Sequence, residues 1–304
     1  MRKQFAKTML ETIKEDSRLA VVVGDISHGI LKDVWSSFPH RYFNIGVCEP
    51  TMMSFAAGLS LSGLIPAVHT IAPFLVERSY EQIKLDFCYQ GLGGNIISVG
   101  SAFDYSRLGC SHHCYNDYGI LKLLPTMEIV YPASEKEFSA LFRQTYDNGH
   151  PTYFRLPEKK HTLKFKDEEI IFGKIIKVRE GGDVTIIAAG PQLENALLAA
   201  EELSKKGIDV EVLYPHTIKP LDQEAVLQSI LKTKKVLVVE EHSTSGGVGM
   251  DVLAIASSVP THVECARLGI PDTFLRHYGT YDEHCAFLGL TKDGIMDKAL
   301  KLIQ

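Results

Sequence analysis

Short apolar runs rich in β-branched residues alternate along the chain with longer segments whose apolar positions recur at helical spacing. In the first part of the chain the apolar runs lie at 19–26, 42–47, 65–71, 95–101, 127–132 and 151–157. The segments between them, such as 49–63 and 74–91, follow the 3.6-residue period of a helix. Near-continuous apolar strands separated by helices predict a parallel sheet covered on both faces.

The second part of the chain repeats this alternation on a smaller scale. Its predicted strands lie at 183–190, 209–215, 234–242 and 262–270. An apolar helical stripe between the first two consists of Leu193, Ala196, Leu197, Ala200 and Leu203. Gly207 then supplies a natural C-terminal glycine. We therefore predict an α/β protein of two domains, a parallel-sheet domain at 1–160 and a smaller α/β domain at 181–304.

The segment that joins the two parts has a different composition. Residues 158–169, "EKKHTLKFKDEE", are mostly charged and lack a sustained apolar stripe. Such a segment is typical of a solvated connection between domains. We therefore predict a linker at 161–180.

Composition excludes several classes of protein. The chain has 304 residues, 45% hydrophobic and 23% charged, which suits two globular cores. A net charge of −5 and the absence of a dense Lys/Arg run give no surface for nucleic acid. No apolar run approaches the roughly 20 residues of a membrane span, and the N-terminus is too charged for a secretory signal. Six cysteines without framework spacing indicate reduced thiols, so we expect a cytoplasmic protein.

Candidate polar residues follow several predicted strands at their carboxyl ends, the edge where open α/β sheets bind ligands. Glu49, followed by Pro50, begins a helix, and helix capping alone would explain it. Phe74 and Arg78 lie four apart on one helix face, where a core aromatic beside a solvated cation is the simpler interpretation. Arg155 ends an apolar strand, where a cation needs solvent or an anionic partner.

A fourth candidate is the loop "RLGCSHHCYNDYG" at 107–119. It contains four residues of zinc-ligand type: Cys110, His112, His113 and Cys114. Structural zinc sites usually add a second ligand pair elsewhere, and none stands out here. The chain also lacks a phosphate-binding G-x-x-x-x-G-K-S/T loop, and the glycines of 245–251 do not fit the dinucleotide spacing. Local chemistry leaves a metal clip, simple packing and catalysis open.

Together these segments resemble the C-terminal half of the transketolase family of thiamine-diphosphate enzymes. This family includes 1-deoxyxylulose-5-phosphate synthases and the beta subunits of 2-oxo acid dehydrogenases. "FNIGVCEPTMMSFAAGLSLSG" is similar to F-x-x-G-I-A-E-Q-x-x-x-x-x-A-A-G-L-A-x-x-G, and "FLVERSYEQIKLDFCYQ" to F-x-x-x-R-A-x-[DE]-Q-I-R-x-x-x-x-x-Q. "CSHHCYNDYGILKLLPTMEIVYPAS" is similar to a stretch containing T-H-[HQ], and 207–222 and 238–249 match two further stretches. These matches occur in the order found in the family, and together they cover nearly the whole chain.

The resemblance implies a thiamine-diphosphate cofactor, which reacts through a C2 carbanion of its thiazolium ring. Glu49 matches the glutamate that protonates N1′ of the aminopyrimidine, and Pro50 replaces the usual Gln after it. Phe74 matches the aromatic residue that stacks on this ring. Arg78 matches an arginine that would support the pocket or an anionic substrate. Asp25 is a weaker cofactor-binding candidate, because relatives often carry an acid there and a turn explains it as well.

The same resemblance implies substrate contacts. His112 matches the histidine of T-H-[HQ], which hydrogen-bonds substrate oxygens near the thiazolium, and this disfavours a metal clip. His113 would assist it in binding substrate or pack beside it, with Cys110 and Cys114 as small apolar fillers. Arg155 matches an arginine that contacts the phosphate of sugar phosphates in relatives, a role that suits a guanidinium fork.

Two departures from the family pattern limit what the chain can do alone. Leu108 stands where ketose-using relatives often carry Asp, which leaves the donor sugar open. No G-D-G with a downstream Asn is present, the pattern with which the family's other half binds Mg²⁺ and diphosphate. The resemblance therefore implies one subunit of a split transketolase, with no metal ligands of its own. Its partner would be an N-terminal subunit with the G-D-G and Asn motif, in an α₂β₂ heterotetramer within which this chain homodimerises.

The implied reaction is transfer of a two-carbon ketol unit between sugars or sugar phosphates. One alternative is the beta subunit of a decarboxylating 2-oxo acid dehydrogenase, against which Arg78 and the "SHH" loop argue mildly. Another is a non-catalytic family member, against which the joint presence of Glu49, Phe74 and His112 argues. We assign Glu241 and His242 of the second domain to structure or to a subunit interface.

Overall fold

Two sheets organise the computed structural model, which describes residues 1–304. The strands of the first half are β1 (Leu19–Val23), β2 (Tyr42–Asn44), β3 (Ile65–Ile71), β4 (Gly94–Val99), β5 (Glu128–Val130) and β6 (Pro151–Phe154). The strands of the second half are β7 (Ile176–Arg179), β8 (Val184–Ala188), β9 (Val210–Tyr214), β10 (Thr217–Lys219), β11 (Lys235–Ser243) and β12 (Glu264–Ile270). All the strands predicted from the apolar runs are present.

The strand order confirms the predicted α/β class. The first sheet has the order β10-β5-β6-β4-β3-β1-β2, and the second has the order β12-β11-β8-β9-β7. Neighbouring strands are parallel except at β10, which pairs antiparallel with β5, and at β7, which pairs antiparallel with β9. Every residue of β1 and β4 is buried, as near-continuous apolar strands require when helices cover both faces.

Twelve α-helices connect and cover the strands. They are α1 (Arg2–Glu15), α2 (Lys32–Ser37), α3 (Glu49–Leu61), α4 (Ala72–Val76), α5 (Tyr80–Gln82), α6 (Asp117–Leu121), α7 (Glu135–Thr145), α8 (Gln192–Ser204), α9 (Gln223–Thr233), α10 (Val248–Ser257), α11 (Tyr281–Leu288) and α12 (Lys292–Ile303). Short 3₁₀ turns occupy Pro39–Arg41, Ser106–Leu108 and Asp167–Glu169. None of the helices is both long and apolar enough to cross a membrane.

The segment 74–91, predicted as one helix, is divided. Helix α4 ends at Val76, α5 begins at Tyr80, and a π-helix occupies Ile83–Tyr89. The wider π turn keeps Ile83 and Phe87 in the core. Arg78 lies in the turn between α4 and α5, and its side chain reaches Glu49 of α3.

The two halves share secondary structure and core. Within 161–180, the predicted linker, Ile176–Arg179 form edge strand β7 of the second sheet. Strand β10 of the second half completes the first sheet. The largest hydrophobic cluster includes Ile129 and Tyr131 from the first half together with Ile187 and Leu213 from the second. The halves are therefore packed against each other through a shared sheet and core, although residues 158–169 are mostly exposed.

Candidate active site

The carboxylate of Glu49 lies at the N-terminus of α3, just beyond the end of β2. Cys48 is the N-cap residue, and the Glu49 carboxylate accepts no backbone amide at this helix end, so capping does not account for it. Nη1 of Arg78 donates to Oε2 of Glu49 at 2.7 Å, and this is the side-chain hydrogen bond that Glu49 makes within the chain. Glu49 is only 1% exposed. The carboxylate thus lies between the N-terminus of α3 and the guanidinium of Arg78.

Phe74 lies between this carboxylate and the loop at 107–119, here named the histidine loop. The guanidinium carbon of Arg78 lies 4.3 Å from the centre of the Phe74 ring, in a cation–π contact. The ring of His112 approaches Phe74 edge-on, with 5.2 Å between centroids and 73° between planes. Nδ1 of His112 lies 3.0 Å from the hydroxyl of Ser111. The structure thus brings together Glu49, Phe74, Arg78 and His112.

The loop between β4 and α6 presents His112. It closes on itself through a β-bridge in which the Cys114 amide donates to the Ala102 carbonyl at 2.6 Å. Gly109 has φ +76° and lies against the ring of Tyr278, so a Cβ there would approach Tyr278 to 2.8 Å. Tyr278 comes from the second domain, and no motif in the sequence indicated this contact.

The two loop cysteines differ. Cys114 is buried, and burial raises the pKa of its thiol well above the usual range, in keeping with the predicted apolar filler. Cys110 is exposed, so the same expectation is wrong for it. No three His, Cys, Asp or Glu side chains in the structure are arranged to hold a metal ion.

Asp25 occupies a turn after β1. Its φ is +53°, in the left-handed region that Asp tolerates better than most residues. Its amide donates to Oδ1 of Asn44 at 3.0 Å, while Nδ2 of Asn44 donates to Oδ1 of Asp25 at 3.2 Å. The side chain is exposed and tied to the end of β2, which favours the turn interpretation.

Arg155 does not reach this site, which corrects its expected contact with a substrate phosphate. The side chain is fully buried, and its Nε donates to Oδ2 of Asp117 at 2.8 Å. Its guanidinium also donates to the carbonyls of Cys114 and Glu241 at 3.1 and 3.0 Å. A carboxylate and two carbonyls compensate the cation inside the protein, so it is not available to a ligand.

His113 is also corrected as a substrate-binding residue. It is 3% exposed and its ring faces His284 of the second domain, with 5.4 Å between centroids. His112, the preceding residue, faces Phe74 instead. The two adjacent imidazoles therefore point to opposite sides of the loop, and only His112 is placed to contact a ligand beside Phe74.

Glu241 and His242 are internal, as the structural assignment expected. Nε2 of Gln192 donates to the Glu241 carboxylate at 2.8 Å, and the Tyr281 hydroxyl also donates to it. The ring of His242 stacks on Tyr118 at 3.8 Å, and its Nε2 accepts from the Gly119 amide at 3.0 Å. The contacts of the Glu241 carboxylate lie within the second domain, whereas those of His242 join it to α6 of the first.

The chemistry available at this edge of the sheet is that of a buried carboxylate, an aromatic face and a half-buried imidazole. A carboxylate can share a proton with a heterocyclic nitrogen, an aromatic face can stack on a planar ring, and an imidazole can donate to or accept from a substrate oxygen. A cavity of about 580 Å³ lies elsewhere, beside Lys122, Lys219 and Asp251.

Sequence families match both halves of the chain. Residues 1–162 match the family described as "Transketolase, pyrimidine binding domain". Residues 173–295 match the family described as "Transketolase, C-terminal domain".

Individual relatives match over similar lengths. An apulose-4-phosphate transketolase subunit of Phocaeicola vulgatus is 34% identical over 100% of this chain and 97% of the relative. "6-deoxy-6-sulfo-D-fructose transketolase subunit SqwH" of Clostridium sp. is 33% identical over 90% of this chain and 85% of the relative. "1-deoxy-D-xylulose-5-phosphate synthase" of Syntrophotalea carbinolica is 32% identical over 96% of this chain but only 46% of its own length.

A solved structure has the same fold. The protein titled "Split gene transketolase, inactive beta4 tetramer" superposes with a TM-score of 0.88 at 29% identity, over 99% of this chain and 97% of that one. The similarity therefore extends through both domains and their relative placement.

Proposed function

Because the chain belongs to the transketolase family, we propose that it is one subunit of a split, thiamine-diphosphate-dependent transketolase. It transfers a two-carbon ketol unit between sugars or sugar phosphates and acts only with its partner subunit. The observation that carries this proposal is the convergence of Glu49, Phe74 and His112 at one sheet edge, from three different connections. This edge is the ligand-binding position of open α/β sheets.

The residues present fit the aminopyrimidine half of thiamine diphosphate. Oε2 of Glu49 is engaged by Arg78, while its Oε1 has no hydrogen-bond partner in the chain and can meet a ring nitrogen. Phe74 is half-buried and offers an aromatic surface next to this carboxylate. Thiamine diphosphate, when bound, supplies a thiazolium carbon nucleophile that attacks a carbonyl. Glu49 and Phe74 would hold the pyrimidine ring of the cofactor.

Each residue of this group has a distinct task in the proposal. Glu49 holds a proton between its carboxylate and the pyrimidine nitrogen, and its burial excludes competing water. Arg78 fixes the orientation of that carboxylate, since it bonds Oε2 and packs on Phe74 at once. His112 donates a hydrogen bond to the substrate oxygen on which charge changes during addition and cleavage.

The partner subunit would complete the site. Two relatives are themselves named transketolase subunits, and the β₄ tetramer of the structural neighbour is described as inactive. Both descriptions support a chain that needs a second polypeptide, which supplies the Mg²⁺ and diphosphate site through a G-D-G and Asn motif. The assembly is an α₂β₂ heterotetramer, in which residues 1–160 bind the pyrimidine and residues 181–304 form the C-terminal domain.

The substrates are ketoses and aldoses, and an anionic end group on one of them is part of the proposal. The names of the two relatives refer to a sugar phosphate and a sulfo sugar, which share an anion remote from the carbonyl. Since Arg155 is buried, that anion needs another cation. Arg78 is 45% exposed at its side chain, and Arg107 is exposed on the histidine loop. A guanidinium suits phosphate and sulfonate alike.

Co-purification tests the proposal. The tagged chain is isolated from its native cells, its partners are identified by mass spectrometry, and the complex is assayed with a ketose donor and an aldose acceptor. Recovery of a chain with the G-D-G and Asn motif, together with two-carbon transfer, is the expected result. Turnover of pyruvate or branched-chain oxo acids with an artificial electron acceptor would instead identify a 2-oxo acid dehydrogenase. A complex without either activity would identify a non-catalytic family member.

A further inference from the structure

Three histidines from both domains form a continuous row of contacting imidazole rings, with an edge-on contact of 85° between His113 and His284 and a tilted contact of 35° between His284 and His277. His113 of the loop between β4 and α6 lies 5.4 Å from His284 of α11, and His284 lies 4.4 Å from His277, centroid to centroid. We name His113, His284 and His277 the imidazole stack. His113 and His284 are 3% and 0% exposed, and none of their ring nitrogens has a hydrogen-bond partner. The contacts that join the three side chains to one another are therefore ring-to-ring contacts.

The loop between β4 and α6, which carries His113, packs into the core of the second domain. Phe103 and Tyr115 of this loop belong to the hydrophobic cluster that contains Leu275 and Cys285. The Phe103 ring lies 5.2 Å from Tyr281 and 5.4 Å from His284. Since these packing partners lie on α11 and the segment before it, the second domain supports the loop from the side opposite Phe74.

His112 and His113 connect the two sides of the loop through one peptide bond. His112 faces Phe74 of the first domain, and His113 faces His284 of the second. A backbone shift that moves His113 out of its buried position also moves the adjoining backbone that carries His112. Tightly packed side chains adopt discrete arrangements. The buried position of the His113 ring therefore fixes the orientation of His112.

We propose that His284 is a positioning residue for His112, acting through His113, so that the C-terminal domain sets the orientation of the catalytic imidazole. The catalytic role of His112 rests on the proposed function, whereas the coupling between loop and stack does not. The C-terminal domain thereby takes part in catalysis without contacting the substrate. This gives α11 a role that none of its own sequence motifs indicates.

The stack is also sensitive to protonation. Burial, followed by the nearby His284, lowers the pKa of His113 to about 4, and burial followed by His277 lowers the pKa of His284. The other groups that face them are His112, the Ser106 carbonyl and Glu283, of which the last two favour the charged form. Acidification therefore charges rings that are packed against each other. Their repulsion displaces His113, and the loop with it, from the buried position.

Hydrogen exchange of the full-length chain tests the coupling without any assay of the reaction. We expect H284A to speed exchange of the amides at 107–116 by at least tenfold. H284F, which keeps an aromatic ring in the stack, should stay within threefold of wild type. H216A is the matched control, because His216 is equally buried in the second half but lies outside the stack. Exchange at 107–116 that rises no more in H284A than in H216A would overturn the inference.

Kinetics of the reconstituted complex supply the second readout. H284A should lower kcat at least tenfold and leave KM within twofold, because every other substrate contact remains and only the hydrogen bond from His112, which strengthens as charge changes on the substrate oxygen, is misdirected. H284F should retain kcat at pH 7.5 and lose less activity than wild type on the acid side. A kcat of H284A within twofold of H216A would overturn the positioning role. An inactive wild-type complex would overturn only the proposed function, since the exchange result still decides the coupling.

Discussion

Arg78 and Glu49 form a hydrogen-bonded ion pair in which Nη1 lies 2.7 Å from Oε2. The carboxylate of this pair is almost fully buried, while the guanidinium remains 45% exposed. Considered alone, each residue has an ordinary explanation, as a helix terminus and as a solvated cation. The guanidinium thus contacts both the carboxylate and the Phe74 ring, and the second carboxylate oxygen stays free for a ligand.

Replacing Arg78 should destabilise the protein because it leaves a buried carboxylate without its cation. Solvent screens the exposed guanidinium, so we expect R78M to lower the free energy of unfolding by about 1 kcal/mol. Urea denaturation measures this change. R107M is the control, because Arg107 is exposed and forms no ion pair. In a double-mutant cycle, R78M should have little effect once Glu49 is Gln. Equal effects of R78M in both backgrounds would show that the pair contributes nothing.

Replacing Arg155 should have a larger effect on stability and none on substrate affinity. R155M leaves Asp117 buried without its cation, which costs about 3 kcal/mol or more, since both side chains are fully buried. Adding D117N should recover part of the loss, because the unpaired charge is then removed. Denaturation and KM measurements on the folded fraction test this. Normal stability with a KM raised tenfold for a phosphorylated sugar would return Arg155 to the substrate site.

Most strands were predictable from sequence because they are runs of apolar residues buried on both faces, whereas β2 and β12 were found although they are only partly buried. The run at 65–71 coincides with β3, and the stripe that begins at Leu193 coincides with the buried face of α8. The antiparallel edge strands β7 and β10 were not predicted. Ile176–Arg179 are only partly apolar, and their pairing depends on contacts between the two halves of the chain.

Individual side-chain roles were less predictable because each depends on a partner distant in sequence. The sequence showed that Arg155 needs an anion, but Asp117 lies 38 residues away and carries no local signal. His113 resembled a second ligand-binding histidine, and its partner His284 lies in the other domain. The Glu49, Phe74 and His112 group was found only through the family resemblance, since spacing alone cannot bring three separate connections together.

Acid should destabilise the protein in part through His69. Nδ1 of His69 lies 3.0 Å from the Ile97 carbonyl, to which it donates, so Nε2 accepts from the Ser27 hydroxyl and the ring is neutral. Burial lowers the pKa of His69 to about 3. Below the unfolded value of about 6.5 the unfolded chain binds the proton and the folded chain does not. Stability from this group is therefore present above pH 6.5 and is lost as the pH falls toward 3, by about 1.4 kcal/mol per unit.

Unfolding measurements between pH 7.5 and 5 check this slope. H69Q should reduce the pH slope of the unfolding free energy by about 1.4 kcal/mol per unit. H262Q, at an exposed histidine, should leave that slope unchanged. Identical pH slopes for H69Q and wild type would contradict the assignment.

His112 should affect turnover much more than stability, because its ring is half-buried and its aromatic contacts, to Phe74 and Tyr105, are edge-on. We expect H112N to lower kcat of the reconstituted complex by about 10²-fold or more, with a change in unfolding free energy below about 1 kcal/mol. S111A, which removes the hydroxyl beside Nδ1, is the control and should lower kcat less than tenfold. Full activity of H112N would exclude a catalytic role for this imidazole.

The most direct test of the split-transketolase assignment is two-carbon transfer by the chain reconstituted with its partner, thiamine diphosphate and Mg²⁺, for wild type and E49Q. Glutamine keeps the size of the side chain but cannot hold the proton. We predict no transfer by either chain alone, transfer by the wild-type complex, and at least a 10²-fold lower kcat for E49Q at unchanged assembly. Wild-type activity in the E49Q complex would refute the assignment, because the carboxylate around which the site is built would then have no part in the reaction.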